Sequence, residues 1–135
     1  MFSGLFAKNK SQMISENFAQ VSCKSFEGKK CLYFEFKGIL EEHLASQIIN
    51  QAEKILQNEL QNEFSFCIVC YCKEMKDYDP MARIKFQKFL KKYEKNIKIM
   101  WIITSSNIIK YGGLLMGLVL PFSIKVVESE EQIKF

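Results

Sequence analysis

Phe64-Ser65-Phe66-Cys67-Ile68-Val69-Cys70-Tyr71-Cys72 is an unbroken apolar run, and beyond Lys73 to Asp77 it leads into Tyr78-Asp79-Pro80-Met81-Ala82-Arg83. A run of this length, rich in β-branched and aromatic residues, reads as a strand covered on both faces. Lys73 to Asp77 reads as a short polar loop. Asp79 then stands at a helix N-cap, and Pro80 suits the first helical position, where its missing N–H costs nothing. In α/β proteins ligands and partners are met at such strand-to-helix corners. This one carries no Gly-rich phosphate loop, no nucleophile with a base and no set of metal ligands.

Working outward, Ala19, Val21 and Cys23 alternate with polar neighbours as in a half-exposed strand up to Phe26, and Glu27-Gly28-Lys29 supplies a turn. Leu32, Phe34 and Phe36 give the second arm of a hairpin, which Gly38 is expected to end. Leu44, Ile48, Ala52, Ile55 and Leu56 repeat at helical spacing to about Leu60, behind the acidic pair Glu41-Glu42 that suits a helix N-terminus. After the Phe64 strand, a second helix presents Ala82, Phe86, Phe89 and Tyr93 on one stripe, and Asn96 breaks it. Ile97 to Ile103 is another buried strand. Ser105 or Ser106 caps a third helix over Asn107 to Leu120, which Pro121 stops. Phe122 to Val127 is the last strand, and Ser129-Glu130-Glu131 opens a final short helix.

The order β–β–α–β–α–β–α–β–α predicts an α/β fold: a mixed sheet of about five strands with about four helices. An antiparallel hairpin leads, and right-handed parallel crossovers follow. If consecutive strands are neighbours, the helices share one face, and the other must be closed by the tail, a returning helix or a second subunit. Residues 1–12 read as a flexible N-terminal tail and 13–135 as a single domain. With 135 residues the chain is long enough for a real core.

A net charge of +4 permits an acidic partner or an anionic surface, but it lacks the clustered excess expected for nucleic acid, so nucleic acid is not expected as a partner. The five cysteines are an odd number. Cys67 and Cys70 have C-x-x-C spacing, but three residues apart on a strand they face opposite ways and cannot share a metal. Cys23, Cys31 and the three on the Phe64 strand therefore read as core-filling thiols in a reducing, cytoplasmic setting. Met1 to Phe6 is too short for a secretory h-region. Ile99 to Ile124 has only Lys110 as a charge, yet Thr104-Ser105-Ser106-Asn107, three glycines and Pro121 fit a strand–turn–helix–strand unit and not a membrane span.

This succession resembles a STAS domain, the fold of bacterial anti-sigma-factor antagonists, and within it the small stand-alone SpoIIAA-like (STAS/SEC14-like) proteins. The resemblance covers about residues 14 to 135. It is carried by the Phe64 strand with Asp79-Pro80-Met81-Ala82-Arg83, the strand–Ser–helix unit Trp101 to Leu120, and Val126-Val127-Glu128-Ser129-Glu130-Glu131. It implies a non-enzymatic regulatory module acting by protein–protein contact. In regulatory members a Ser or Thr after the third strand is phosphorylated to switch binding off. Here that corner is Asp77-Tyr78-Asp79-Pro80, without a hydroxyl on a Ser or Thr.

Each candidate site has a plain structural alternative. Tyr78, Asp79, Met81 and Arg83 share one corner, as a docking surface or as a helix cap with ordinary neighbours. Ser105 and Ser106 start the third helix, as an anion site or as a cap. Lys85, Lys88, Lys92 and Lys95 form a basic stripe, for an acidic partner or an anionic lipid, or simply a solvated face. His43, the single histidine, has no identifiable catalytic partner. The third helix is apolar around most of its circumference; Ile108, Tyr111, Leu114, Leu115 and Leu118 are candidates for an interface or an apolar pocket.

The expectation is therefore a protein-binding regulatory module, with no catalytic residue, no cofactor and no metal. The alternative is binding or carriage of a lipid or other small apolar ligand, as the SEC14-like side of the resemblance implies. Contact with a membrane surface without spanning it, and a homodimer, are compatible with the same features.

Overall fold

Two backbone positions with positive φ, Glu27 (52°) and Gly28 (81°), close the hairpin between β1 (Phe18–Phe26) and β2 (Lys29–Leu40). A two-residue loop of this hand matches the twist of the strands it joins. Phe18 pairs with Lys37 at one end of the ladder and Phe26 with Lys29 at the other. The computed structural model describes residues 17–60 and 65–135; the tail expected over 1–12, the chain up to Glu16 and Phe64 lie outside them.

Gly38 does not end β2. It sits inside the strand at φ 70°, a conformation that a side chain would strain, and the strand runs on to Leu40. α1 (Glu42–Asn58) follows, burying Ala45, Ile48, Ala52 and Leu56 at helical spacing. β3 (Phe66–Tyr78) corrects a second expectation, because Lys73 to Asp77 is strand and not loop. Tyr71 and Glu74 of β3 face Glu35 and Lys37 of β2, and Met75 and Asp77 face Gly38 and Ile39. At each place β3 carries one residue more than its partner, which defines a bulge. Two bulges turn the usual period of two into three, and Cys72, Met75 and Tyr78 all come to the helix-covered face.

α2 (Pro80–Lys92) packs on the sheet through Ala82, Phe86, Phe89 and Leu90, and turns out at Tyr93 before Asn96 is reached. Phe86 meets Phe34 edge-on at 5.1 Å, the geometry aromatic quadrupoles favour. β4 (Ile97–Ile103) falls where the sequence placed it. α3 (Asn107–Gly117) is three residues shorter than expected, with Leu118 to Leu120 making a looser turn. β5 (Ser123–Val127) precedes a 3-10 turn at Glu130–Gln132, which Ser129 and Gln132 close with a capping box. The described residues thus hold three α-helices and one 3-10 turn where about four helices were expected.

The sheet order is β1-β2-β3-β4-β5, antiparallel at the first pair and parallel thereafter. Crossovers of one hand between consecutive strands put all three helices on one face, over the larger core cluster. The opposite face holds a smaller cluster of Cys31, Tyr33, Cys67, Val69, Trp101, Ile103 and Ile133. The C-terminal turn returns across it: Tyr33 donates its hydroxyl to Glu130 at 2.9 Å, and Phe135 meets Trp101 edge-on at 6.2 Å. Among the described residues no helix is long and apolar enough to cross a membrane.

Candidate functional site: the cleft beneath the third helix

The corner at Asp79 is built from two strand ends. The Asp79 N–H donates to the Leu40 carbonyl at 2.9 Å, which ties the end of β3 to the end of β2. Its carboxylate does not cap its own helix. Instead Oδ2 accepts the Glu42 N–H of α1 at 3.1 Å. Glu41, the residue before α1, offers no side-chain cap of its own, so Asp79 satisfies a first-turn donor of the neighbouring helix. The position of Asp79 was legible in the sequence; the helix it serves was not.

Tyr78 and Arg83 flank this corner and line a small cleft, open to solvent on one side, between the sheet, α2 and α3. Its floor is Phe36, Cys70, Cys72, Met75 and Ile102, and its α3 wall is Ile109, Gly112, Gly113 and Met116. Burial pushes the Cys72 thiol up to about 12 and the Cys70 thiol well above its ordinary value, so both line the floor as neutral groups. Arg83 is the one charged residue of the lining. No described residue accepts a hydrogen bond or ion pair from its guanidinium.

Glycine lets α3 approach. A Cβ on Gly112 would lie 2.5 Å from the Tyr78 hydroxyl oxygen, and one on Gly113 would run into the Ile102 side chain. The helix starts on Ser106, whose Oγ accepts the Ile109 N–H at 3.4 Å, while Thr104 Oγ1 accepts the Ser106 N–H at 3.0 Å. Of the two serines it is therefore Ser106 that caps. Ser105 is exposed and accepts a hydrogen bond from Lys73 Nζ at 3.3 Å.

The outer side of α3 is bare. Of the nine large apolar residues exposed among the described ones, Ile108, Tyr111, Leu114, Leu115, Leu118 and Val119 belong to this helix and the turn after it, with Leu118 79% and Tyr111 63% exposed. Met81 projects nearby from the start of α2, 47% exposed. Of the residues singled out in the sequence, Tyr78 and Arg83 line the cleft, whereas Ile108, Tyr111, Leu114, Leu115 and Leu118 lie on the outer face of α3 and do not.

The basic stripe is divided. Lys85 bridges Glu42 at 3.4 Å and donates to Ser46 at 2.8 Å, and Lys92 meets Glu53 at 2.6 Å. Glu53 also accepts the Tyr93 hydroxyl at 2.7 Å; these two bonds, Lys92 first, hold its carboxyl below the ordinary Glu value. Lys88 and Lys95 are exposed on the remainder. His43 is exposed in the first turn of α1. Among the described residues no three His, Cys, Asp or Glu side chains group as metal ligands.

Sequence reasoning missed Met75, Phe36, Leu40 and Met116 in the cleft. Met75 was hidden because two bulges suspend the alternation by which a strand residue is recognised. Met116 was legible in principle, lying seven residues after Ile109 on one helix stripe.

A mixed five-stranded sheet, antiparallel at its first pair and parallel thereafter, with three helices on one face, is a SpoIIAA-like fold. The solved structure of an uncharacterized DUF3478-family protein from Shewanella loihica PV-4, with a SpoIIAA-like fold, superposes with a TM-score of 0.70 at 16% identity, over 85% of this chain and 90% of that one. No protein-family model matches the sequence, and no curated protein matches it.

Proposed function

We propose that this protein is a regulatory binding module that grips a protein partner with the outer face of α3 and the neighbouring corner Tyr78 to Arg83. The observation that carries the reading is the concentration of exposed apolar side chains on α3. Covering those six side chains would remove on the order of 500 Å² of apolar surface, or roughly 12 kcal/mol gross. That is comparable with the ~4–15 kcal/mol cost of association, so the polar rim and Arg83 decide the affinity. A patch of this extent on a small domain marks an interaction site more often than a bare surface. The SpoIIAA-like fold supports a module of the anti-sigma-factor-antagonist kind. With Asp79 engaged on α1 and no Ser or Thr at the corner, the usual Ser/Thr phosphate switch has no acceptor there, so the module binds constitutively or is regulated elsewhere.

The test is site-specific photo-crosslinking in the cell of origin. A photoreactive residue at Leu118 or Leu115 is expected to give one discrete adduct, and one at Gln47 on the exposed side of α1 none. Equal labelling from all three positions, or none from α3, overturns the reading.

A second reading, binding of a lipid or other small apolar ligand, is favoured by the apolar cleft, whose one charged lining residue, Arg83, has no guanidinium partner among the described residues. Tail and head would be served by the floor and by Arg83. Native mass spectrometry of freshly purified protein separates the two: an adduct of constant mass that is lost in Gly113→Leu supports the ligand, and a clean apo mass removes it.

A further inference from the structure

On the sheet face away from the helices, two cysteines stand side by side. Cys31 of β2 and Cys67 of β3 are register partners in the parallel ladder, and both enter the cluster around Val69 and Trp101. Neighbouring strands run about 4.8 Å apart, within the Cα separation that a disulfide spans. The two thiols are close enough to perturb each other's ionisation, and the Cys31 S–H donates to the Lys29 carbonyl at 3.7 Å. Its neighbour Cys31, with the charges of Lys98 and Lys29, draws the Cys67 thiol down against the opposing effect of burial, while Cys31 is pushed up. In the step below, Cys67, the thiol nearer to the lysines, serves as nucleophile and Cys31 as resolving thiol. The other three cysteines are set apart: Cys23, Cys70 and Cys72 pack toward the helix-covered core.

We propose that Cys31 and Cys67 are a modification site, closing a reversible disulfide between β2 and β3 when the protein meets a hydroperoxide. Cys67 thiolate attacks the peroxide oxygen, the O–O bond breaks, and the leaving alkoxide or hydroxide takes a proton; Cys67 sulfur, oxidised by two electrons, becomes a sulfenic acid. Cys31 then attacks that sulfur and displaces hydroxide, which leaves as water with the Cys31 proton. Two thiols and one hydroperoxide yield one disulfide, one water and one alcohol, or a second water when the oxidant is hydrogen peroxide. Both residues are buried, but Cys31 is the third residue of β2 and Cys67 the second of β3, so fraying at that one end of the sheet admits a small oxidant. Adjacent parallel strands hold their Cβ atoms near the strand spacing, wider than the ~3.5–4.5 Å of a relaxed disulfide. Closure therefore pulls the strands together and disturbs the next pair, Val69 and Trp101. Such a bond is of the labile kind that small thiols reduce.

The experiment treats the reduced full chain with hydrogen peroxide, alkylates it, and maps peptides by mass. The expected result is a linked pair of peptides through Cys31 and Cys67, three of the five cysteines still alkylated, and reduced emission from Trp101, all reversed by glutathione. Cys31→Ser should leave a sulfenic acid on Cys67 that dimedone traps. Five alkylated cysteines after peroxide, or a linkage through Cys23, Cys70 or Cys72 in the wild-type protein, overturns the proposal whether or not the variant folds.

Discussion

Gly112→Ala tests whether α3 is seated by close backbone approach. The new Cβ would stand 2.5 Å from the Tyr78 hydroxyl oxygen and 2.8 Å from Cζ, where carbon contacts settle at ~3.5–4.0 Å. About 1 Å must be found. Tyr78 has a backbone fixed by Asp77 Oδ1 at 2.7 Å and by the ties of the next residue to Leu40 and Glu42, so room must come from turning its ring within the packed cleft. Alanine gains about 1 kcal/mol over glycine in a helix interior, and overpacking costs about 1–3 kcal/mol. The balance is a loss on the order of 1 kcal/mol. Gly117→Ala is the control, since its Cβ would meet Ile124 Cδ1 at an ordinary 3.4 Å, and at the helix end its gain is about 0.5 kcal/mol. The two variants should therefore differ by about 1.5 kcal/mol, or roughly 6 °C in Tm. Urea unfolding followed by Trp101 emission and by far-UV circular dichroism reads both. If Gly112→Ala matches or exceeds Gly117→Ala at equal m-value, α3 is not held as argued.

Asp79→Ala should cost about 1 kcal/mol through the lost cap on α1, with Asp79→Asn recovering most of it, as thermal unfolding would show. Glu53 has a folded pKa below its ordinary 4.5, so its stabilisation is present above that value and lost as pH falls through the folded pKa; Glu53→Gln should lessen the dependence of stability on pH over that acid window in a titration of urea midpoints. Leu115→Glu with Leu118→Glu should leave stability within about 0.5 kcal/mol, both side chains being exposed, while abolishing the α3 crosslink; a large loss of stability would mean that these residues are structural.

The strands that run with a clean pattern were legible. Ile97 to Ile103 appears with the bounds read from its apolar run, and the Glu27-Gly28 turn follows from residue type. The C-terminal ends of β2 and β3 were not legible. Gly38 and the polar run Lys73 to Asp77 resemble strand terminators, and only the pairing between the two strands, with two bulges, keeps them extended. The corner at Tyr78 to Arg83 and the outer residues of α3 were recognised one by one. That Tyr78 and Arg83 share a cleft with the inner face of α3, and not with its outer residues, depends on Gly112 meeting Tyr78 and Gly113 meeting Ile102, contacts between separate elements. For the same reason Lys85 and Lys92 looked like free charge, because their acids, Glu42 and Glu53, come from another helix.

The sheet order β1-β2-β3-β4-β5 also bears on how the chain is made. Each strand pairs with the one synthesised just before it, so every new βα unit leaving the ribosome finds its docking edge already formed. No strand waits for a partner made much later, which favours vectorial folding. α3 and β5 follow the first four strands, and until they dock the floor of Phe36, Cys70, Met75 and Ile102 stays uncovered in the growing chain.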